Sequence, residues 1–198
     1  MREKILQKAA EMFLNLGFKS VTMDDIANEI GISKKTIYAH FDTKTKLVEA
    51  TTFYLFEIIS AGIDEINARQ LNGIEELFVI KNFIGKHLKD EKSSPFYQLQ
   101  KYYPKIFIRL KNMQLEVMRR CVVVNLERGV ETGIYRSEIN IPFIARIYFM
   151  GMIAMKDPNM FPIEEFPIRE ASRQYLEYHI RAISTDKGLK ILHQLLND

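Results

Sequence analysis

Residues 22–41 read Thr-Met-Asp-Asp-Ile-Ala-Asn-Glu-Ile-Gly-Ile-Ser-Lys-Lys-Thr-Ile-Tyr-Ala-His-Phe, from Thr22 to Phe41. Thr22 stands just before an apolar pattern at three- and four-residue spacing, Met23, Ile26, Ala27 and Ile30, and Asp25 follows it at the third position, as in a capping box. The spacing predicts a short helix that Gly31 stops. Ser33 is a good N-cap for a second short helix with Ile37 and Phe41 on one side, and Ile32 can plug the turn between the two. Short helix, glycine turn, short helix is the layout of a helix-turn-helix, whose second helix enters a DNA major groove while the first braces it across the backbone. Ala27 is small where the two helices approach. Lys34, Lys35, Thr36, Tyr38, Ala39 and His40 are left facing outward, a surface rich in donors for base edges and phosphates.

Upstream, Ile5, Leu6, Ala9, Ala10, Phe13 and Leu16 place an amphipathic helix over about 2–16, ended by Gly17. Downstream, the chain re-enters helix at Lys44 and continues through Leu47, Val48, Phe53, Phe56, Ile59, Ile63 and Ile66 to about Arg69, long enough to carry one module into the next. Further helices are expected at 74–88, 95–102, 105–131, 142–155, 164–183 and 189–196. A polar break from Asp90 to Pro95 and an interruption at Asp186 to Gly188 separate some of them. Pro95, Pro104 and Pro142 each suit the first turn of a helix, where the missing N–H has no intrahelical partner anyway. No stretch reads as a strand, and no repeat of twenty to fifty residues occurs.

With 47% hydrophobic and 27% charged residues and only nine Gly and six Pro in 198, the composition is that of a globular, helix-prone chain. The single cysteine, Cys121, excludes an internal disulfide and a Cys-rich zinc site, and fits a reducing compartment. Flanked by Val122 to Val124, it is expected as a buried apolar filler. The start, Met1-Arg2-Glu3-Lys4, enters an amphipathic pattern rather than an apolar signal core, so the expected location is cytoplasmic. The most apolar stretch, Phe143 to Met155, contains Arg146 and falls short of the roughly 20 residues that span a bilayer, so no membrane partner is expected. Net charge is +3, and between Ser33 and Lys46 four lysines (34, 35, 44 and 46) face only Asp42. Lysine pairs commonly mark nothing more than a solvated face. That reading leaves the glycine, the caps and the apolar spacing unexplained.

Taken together, Gly17-Phe18, Val21-Thr22, Asp25-Ile26-Ala27, Gly31-Ile32-Ser33, Thr36-Ile37-Tyr38, His40-Phe41 and Lys44 resemble the DNA-binding domain of TetR-family transcriptional regulators, over about a quarter of the chain. The resemblance implies an all-α protein: a three-helix helix-turn-helix domain over 1–46, then a helical-bundle ligand-binding and dimerisation domain over 47–198. It implies a transcriptional regulator, a repressor released from a palindromic DNA operator by a small-molecule effector of unknown identity. Carried across by position, base-edge contacts fall to Lys34, Lys35 and Thr36, with Ala39 against a thymine methyl. Tyr38 and His40 face phosphates, and Thr22, Ser33 and Lys44, each at a helix N-terminus, clamp the backbone. Many relatives have a small residue at the position of Lys35, which can reach a base or turn back to a phosphate. Little chain precedes the first helix, so a long minor-groove arm is not expected.

Enzyme chemistry finds no support in the sequence: there is no glycine-rich phosphate loop, no nucleophile elbow and no Glu-x-x-His pair. No catalytic residue, cofactor or metal is expected, and His40, His87, His179 and His193 are scattered. Phe78, Tyr97, Tyr102, Tyr103 and Phe107 are candidates for an effector pocket, since tyrosine offers an apolar wall with a polar tip, and equally candidates for core. The apolar positions of the helix at 142–155, Phe143, Ile144, Ile147, Tyr148, Met150, Gly151 and Ala154, cover more than one face. With the helix at 164–183 they point to a homodimer, Gly151 and Ala154 permitting close approach of the second copy, the alternative being a wholly internal core helix.

Overall fold

The computed structural model of the chain describes residues 1–88 and 95–197; most of the polar break expected from Asp90 to Pro95 lies outside the described residues. Ten helices are described: α1 (Arg2–Leu16), α2 (Met23–Ile30), α3 (Lys34–His40), α4 (Lys44–Asn67), α5 (Gly73–Leu88), α6 (Pro95–Tyr102), α7 (Pro104–Glu131), α8 (Ile141–Ala154), α9 (Ile168–Ile183) and α10 (Asp186–Asn197). Among the described residues the extended pairing is a single isolated bridge between Tyr135 and Ser184. No described helix is long and apolar enough to cross a membrane. The chain divides into two compact units, residues 1–61 with 87–112, and residues 62–86 with 113–198. The first therefore takes in α6 and the start of α7 as well as the three helices of the expected DNA-binding module.

In the first unit the buried residues are Ile5, Leu6, Ala9, Ala10 and Phe13 of α1, Ile26 and Ala27 of α2, which packs on α1, Ile37 of α3, Phe41, and Leu47 and Val48 of α4. The aromatic residues extend that core. Phe13 meets Phe18 at 5.0 Å between ring centroids, Phe18 meets Tyr103 edge-on at 5.9 Å, and Phe96 meets Phe107 edge-on at 4.9 Å. Gly17, at φ 84°, ends α1 in a conformation that side chains rarely adopt, and the Gln98 amide of α6 fills the space its missing Cβ leaves.

The second unit is built round Tyr135, which lies between Gly73 and Gly129, where any Cβ would press into its ring. Its hydroxyl donates to Asn125 Oδ1 at 3.1 Å, and Asn125 Nδ2 donates to Gly73 O at 2.9 Å and to Glu76 Oε1 at 2.7 Å. Arg128 completes the set with an ion pair to Glu76 at 2.7 Å. Burial pushes the Tyr135 phenol well above its ordinary pKa, so it stays a donor. Around it pack Ile74, Leu77, Val122, Leu126, Tyr148, Leu176, Ile180, Ile183 and Leu192. His179 is buried against the Tyr148 ring at 4.4 Å, and desolvation holds its imidazole down at about 4.

The structure differs from the sequence reading at four places. α9 begins at Ile168 rather than near 164, because Pro167 cannot donate to a preceding carbonyl and disfavours helical geometry at Phe166; residues 162–166 form turns closed onto Pro162 O instead. α10 begins at Asp186, so Asp186 to Gly188 is its first turn and the break falls at Ser184–Thr185. Gly188 marks a close approach to Ile134 O, which a side chain would obstruct. Gly151, expected to admit a second copy, is covered by Tyr175 of the same chain, whose hydroxyl donates to Ile147 O at 2.9 Å and to Tyr148 O at 3.1 Å. Cys121, expected as a buried filler, is half-buried at the margin of the core and accepts from Asn67 Nδ2 at 3.2 Å.

Removing one partner of the buried polar set strands the others. Glu76→Ala should destabilise the protein by about 3 kcal/mol and Tyr135→Phe, which leaves Asn125 Oδ1 unpaired, by about 1–2 kcal/mol, both read from urea unfolding midpoints. Equal midpoints for wild type and Glu76→Ala would show that the network contributes nothing.

Candidate nucleic-acid interface

The helix-turn-helix is fixed by its caps. Thr22 Oγ1 accepts the Asp25 N–H at 3.2 Å while the Asp25 carboxylate accepts the Thr22 N–H at 2.8 Å, a closed capping box. The Thr22 N–H and, second to it, the Thr22 hydroxyl at 2.8 Å both donate to the Asp25 carboxylate and hold it below its usual pKa. Gly31 adopts the left-handed conformation at φ 69° and ψ 39°, and Ile32 N–H returns to Ala27 O at 3.0 Å, which turns the chain into α3. Ser33 Oγ accepts the Thr36 N–H at 3.1 Å and lies 2.9 Å from the Thr36 hydroxyl.

α3 buries one residue, Ile37, with Phe41 buried just beyond its end. Ser33, Lys34, Lys35, Tyr38, Ala39 and His40 are exposed, and Thr36 is half-buried. Thr22 is exposed at the start of α2. Lys44, at the start of α4, is half-buried with Nζ 3.5 Å from Lys19 O; desolvation lowers its ammonium pKa and the Asp25 carboxylate acts against that. The nine residues named from the sequence thus lie on α3 and at the N-termini beside it. Lys35 has no ion pair among the described residues.

One feature was missed. Lys34 Nζ is bound to Asp24 Oδ2 at 2.7 Å and lies 6.0 Å from the centre of the Tyr38 ring, and Asp24 raises its pKa. Asp24 belongs to the first turn of α2, ten residues earlier, so no helical spacing announces the pair.

The aromatic residues named as effector candidates are divided. Tyr97 and Tyr102 lie on α6, Tyr103 between α6 and α7, and Phe107 near the start of α7, all in the first unit, where Phe107 is core and Tyr103 is half-buried beside Phe18. Phe78, on α5, packs against the core of the second unit. Among the described residues no group of three or more His, Cys, Asp or Glu side chains is gathered to hold a metal ion.

An all-helical chain headed by a helix-turn-helix is the class that this geometry defines. Residues 5–51 match the model of the N-terminal domain of bacterial regulatory proteins of the tetR family. Over 113 residues the chain is 26% identical to the biofilm operon icaADBC negative transcriptional regulator IcaR of Staphylococcus aureus, covering 57% of this chain and 54%, about half, of that relative's length. Over 154 residues it is 24% identical to the transcriptional repressor KstR2 of Mycolicibacterium smegmatis, 73% of this chain and 72% of the relative. A TetR-family transcriptional regulator from Agrobacterium tumefaciens shares the fold at a TM-score of 0.74 and 18% identity, over 93% of this chain and 97% of that one.

Thr22→Ala removes the acceptor for the Asp25 N–H and should lower stability by about 1 kcal/mol. Thr22→Ser, which keeps the oxygen, should lose much less in the same thermal melts; equal losses would contradict the capping role.

Proposed function

We propose that the protein is a DNA-binding transcriptional regulator of the bacterial cytoplasm, a repressor that a small-molecule effector releases from a palindromic operator. The observation that carries this reading is α3: it buries Ile37 and leaves Lys34, Lys35, Tyr38, Ala39 and His40 in solvent. A helix that gives so little to the core and so many donors to water suits a groove. The relatives, a negative regulator and a repressor, favour repression over activation.

In this reading Lys34, Lys35 and Thr36 meet base edges and Ala39 a thymine methyl. Tyr38, His40, Thr22, Ser33 and Lys44 hold phosphates. Lys44 is suited to that task, since an ammonium already partly desolvated gains more from a phosphate than a free one does.

Pairing of two chains fits α8 and α9. Phe143, Ile147 and Met150 lie exposed along one line of α8, at four- and three-residue steps, while Ala145, Tyr148 and Phe149 face inward. Tyr178 is 70% exposed on α9. A second copy applying the same face would cover these residues by two-fold symmetry. Such a dimer must space its two α3 helices by about one turn of DNA, or a multiple of it, to enter successive grooves.

α4 supplies Lys44 and Leu47 to the first unit and Ile63 and Ile66 to the second. An effector that prefers a tilted α4 would alter the spacing, and DNA would weaken effector binding by the same factor. The candidate effector contacts in the first unit remain the exposed parts of Tyr97, Tyr102 and Tyr103 beside Phe107, and Phe78 remains a separate candidate in the second unit.

Two experiments test the reading. After an operator is selected from a random pool, Lys34→Ala and Thr36→Ala should relax base preference at particular positions, by about 1–3 kcal/mol per contact. Tyr38→Ala and Lys44→Ala should weaken all sequences about equally. Indistinguishable behaviour of the two groups would refute the assignment of roles. In sedimentation at micromolar concentration, wild type should run as a dimer and Ile147→Glu with Met150→Lys as a monomer; a wild-type monomer would rule this interface out.

A further inference from the structure

Beside the helix-turn-helix, within the same unit, two lysines that lie far apart in sequence share one aromatic ring. Lys19 Nζ, from the turn between α1 and α2, is 5.7 Å from the centre of the Tyr102 ring, and Lys101 Nζ, from the last turn of α6, is 5.6 Å from it. Lys101 is also 5.8 Å from the Tyr97 ring. Lys19, Lys101 and Tyr102 are all exposed, and no carboxylate among the described residues pairs with either lysine. Two ammonium groups within about 6 Å of one ring repel each other, and the ring's negative face holds them without neutralising them.

The position of the cluster indicates what does neutralise them. Lys19 is three residues from Thr22, and its carbonyl is 3.5 Å from Lys44 Nζ. Gln98 of α6, packed over Gly17 and accepting the Lys19 N–H at 3.5 Å, fixes α6 to this turn. These cations, with which no carboxylate among the described residues pairs, therefore adjoin two of the proposed phosphate clamps. A DNA strand repeats a negative charge at each nucleotide beyond the bases that a recognition helix reads.

We infer that Lys19 and Lys101, held by Tyr102, form a second DNA-backbone site, which takes phosphates flanking the sequence read by α3. The inference rests on the DNA-binding reading above and adds α6 to the DNA-contacting surface. Such contacts supply affinity and salt dependence without base preference.

The test is binding of a fluorescent 40-base-pair random-sequence duplex across a potassium chloride series. It compares wild type, the double variant Lys19→Ala with Lys101→Ala, and the charge-matched control Lys187→Ala with Lys190→Ala on α10. Loss of two phosphate contacts should make the log–log salt slope shallower by about 1.8 and weaken binding by more than tenfold near 0.1 M salt. The control should stay near wild type. Lys101→Gln alone should give about half the slope change, and thermal melts check that each variant is folded. A double variant with the wild-type slope, or a control that changes as much, overturns the second site while wild-type binding leaves the helix-turn-helix reading in place. Wild type that fails to bind the duplex even at low salt removes both readings.

Discussion

α3 has seven residues, too few to stand as a helix in water, where even favourable sequences need about 12 or more. It persists because Ile37 is fully enclosed by the core that α1 and α2 provide, with Ser33 closing one end and Phe41 anchoring the other. That single inward side chain decides the rotation of the helix, and with it the solvent exposure of Lys34, Lys35, Tyr38, Ala39 and His40. Everything proposed about recognition depends on this one buried isoleucine. An enlarged or missing side chain at position 37 would change the aim of every donor on the helix at once.

The second unit uses a different constraint. Its centre is a tyrosine rather than an aliphatic cluster, and a phenol can be buried only if its hydroxyl is satisfied. Asn125, Glu76 and Arg128 meet that requirement in a chain of bonds, and Gly73 and Gly129 make the room. The network ties α5 to α7 and to the segment that follows it. The apolar face of α8 is left outward by the same arrangement, since Tyr148 and Phe149 fill its inward side.

Local order was legible in the sequence wherever one residue type performs one backbone task. Gly17, Thr22, Gly31 and Ser33 each announced a helix end, and the spacing around Ile26 and Ile37 gave the helix-turn-helix its inner face. Contacts between distant segments left no such trace. Nothing in the periodicity connects Asp24 to Lys34, Gln98 to Gly17, or Lys19 to Tyr102, because each pair is brought together by packing. The glycine readings failed for a related reason: Gly188 and Gly151 signalled a turn and a second copy, but each answers to a close neighbour in its own chain, Ile134 O and Tyr175. Proline was underused at Pro167, where its effect on the preceding residue determines the start of α9.

The Asp24–Lys34 pair bears on how a reading surface discriminates. In the free protein Lys34 does not wait in bulk water; it already holds an anion. On the proposed function, contact with DNA is therefore an exchange, in which the carboxylate gives up some of its hold and stays close enough to repel the backbone. That repulsion is the same for every sequence, whereas the replacement partner is not: a guanine edge offers two acceptors and a cytosine edge a donor. The bridge thus subtracts a constant from all encounters and leaves the differences between them intact. A recognition helix so equipped binds random DNA more weakly than its lysine count suggests, and gives up grip while keeping its contrast.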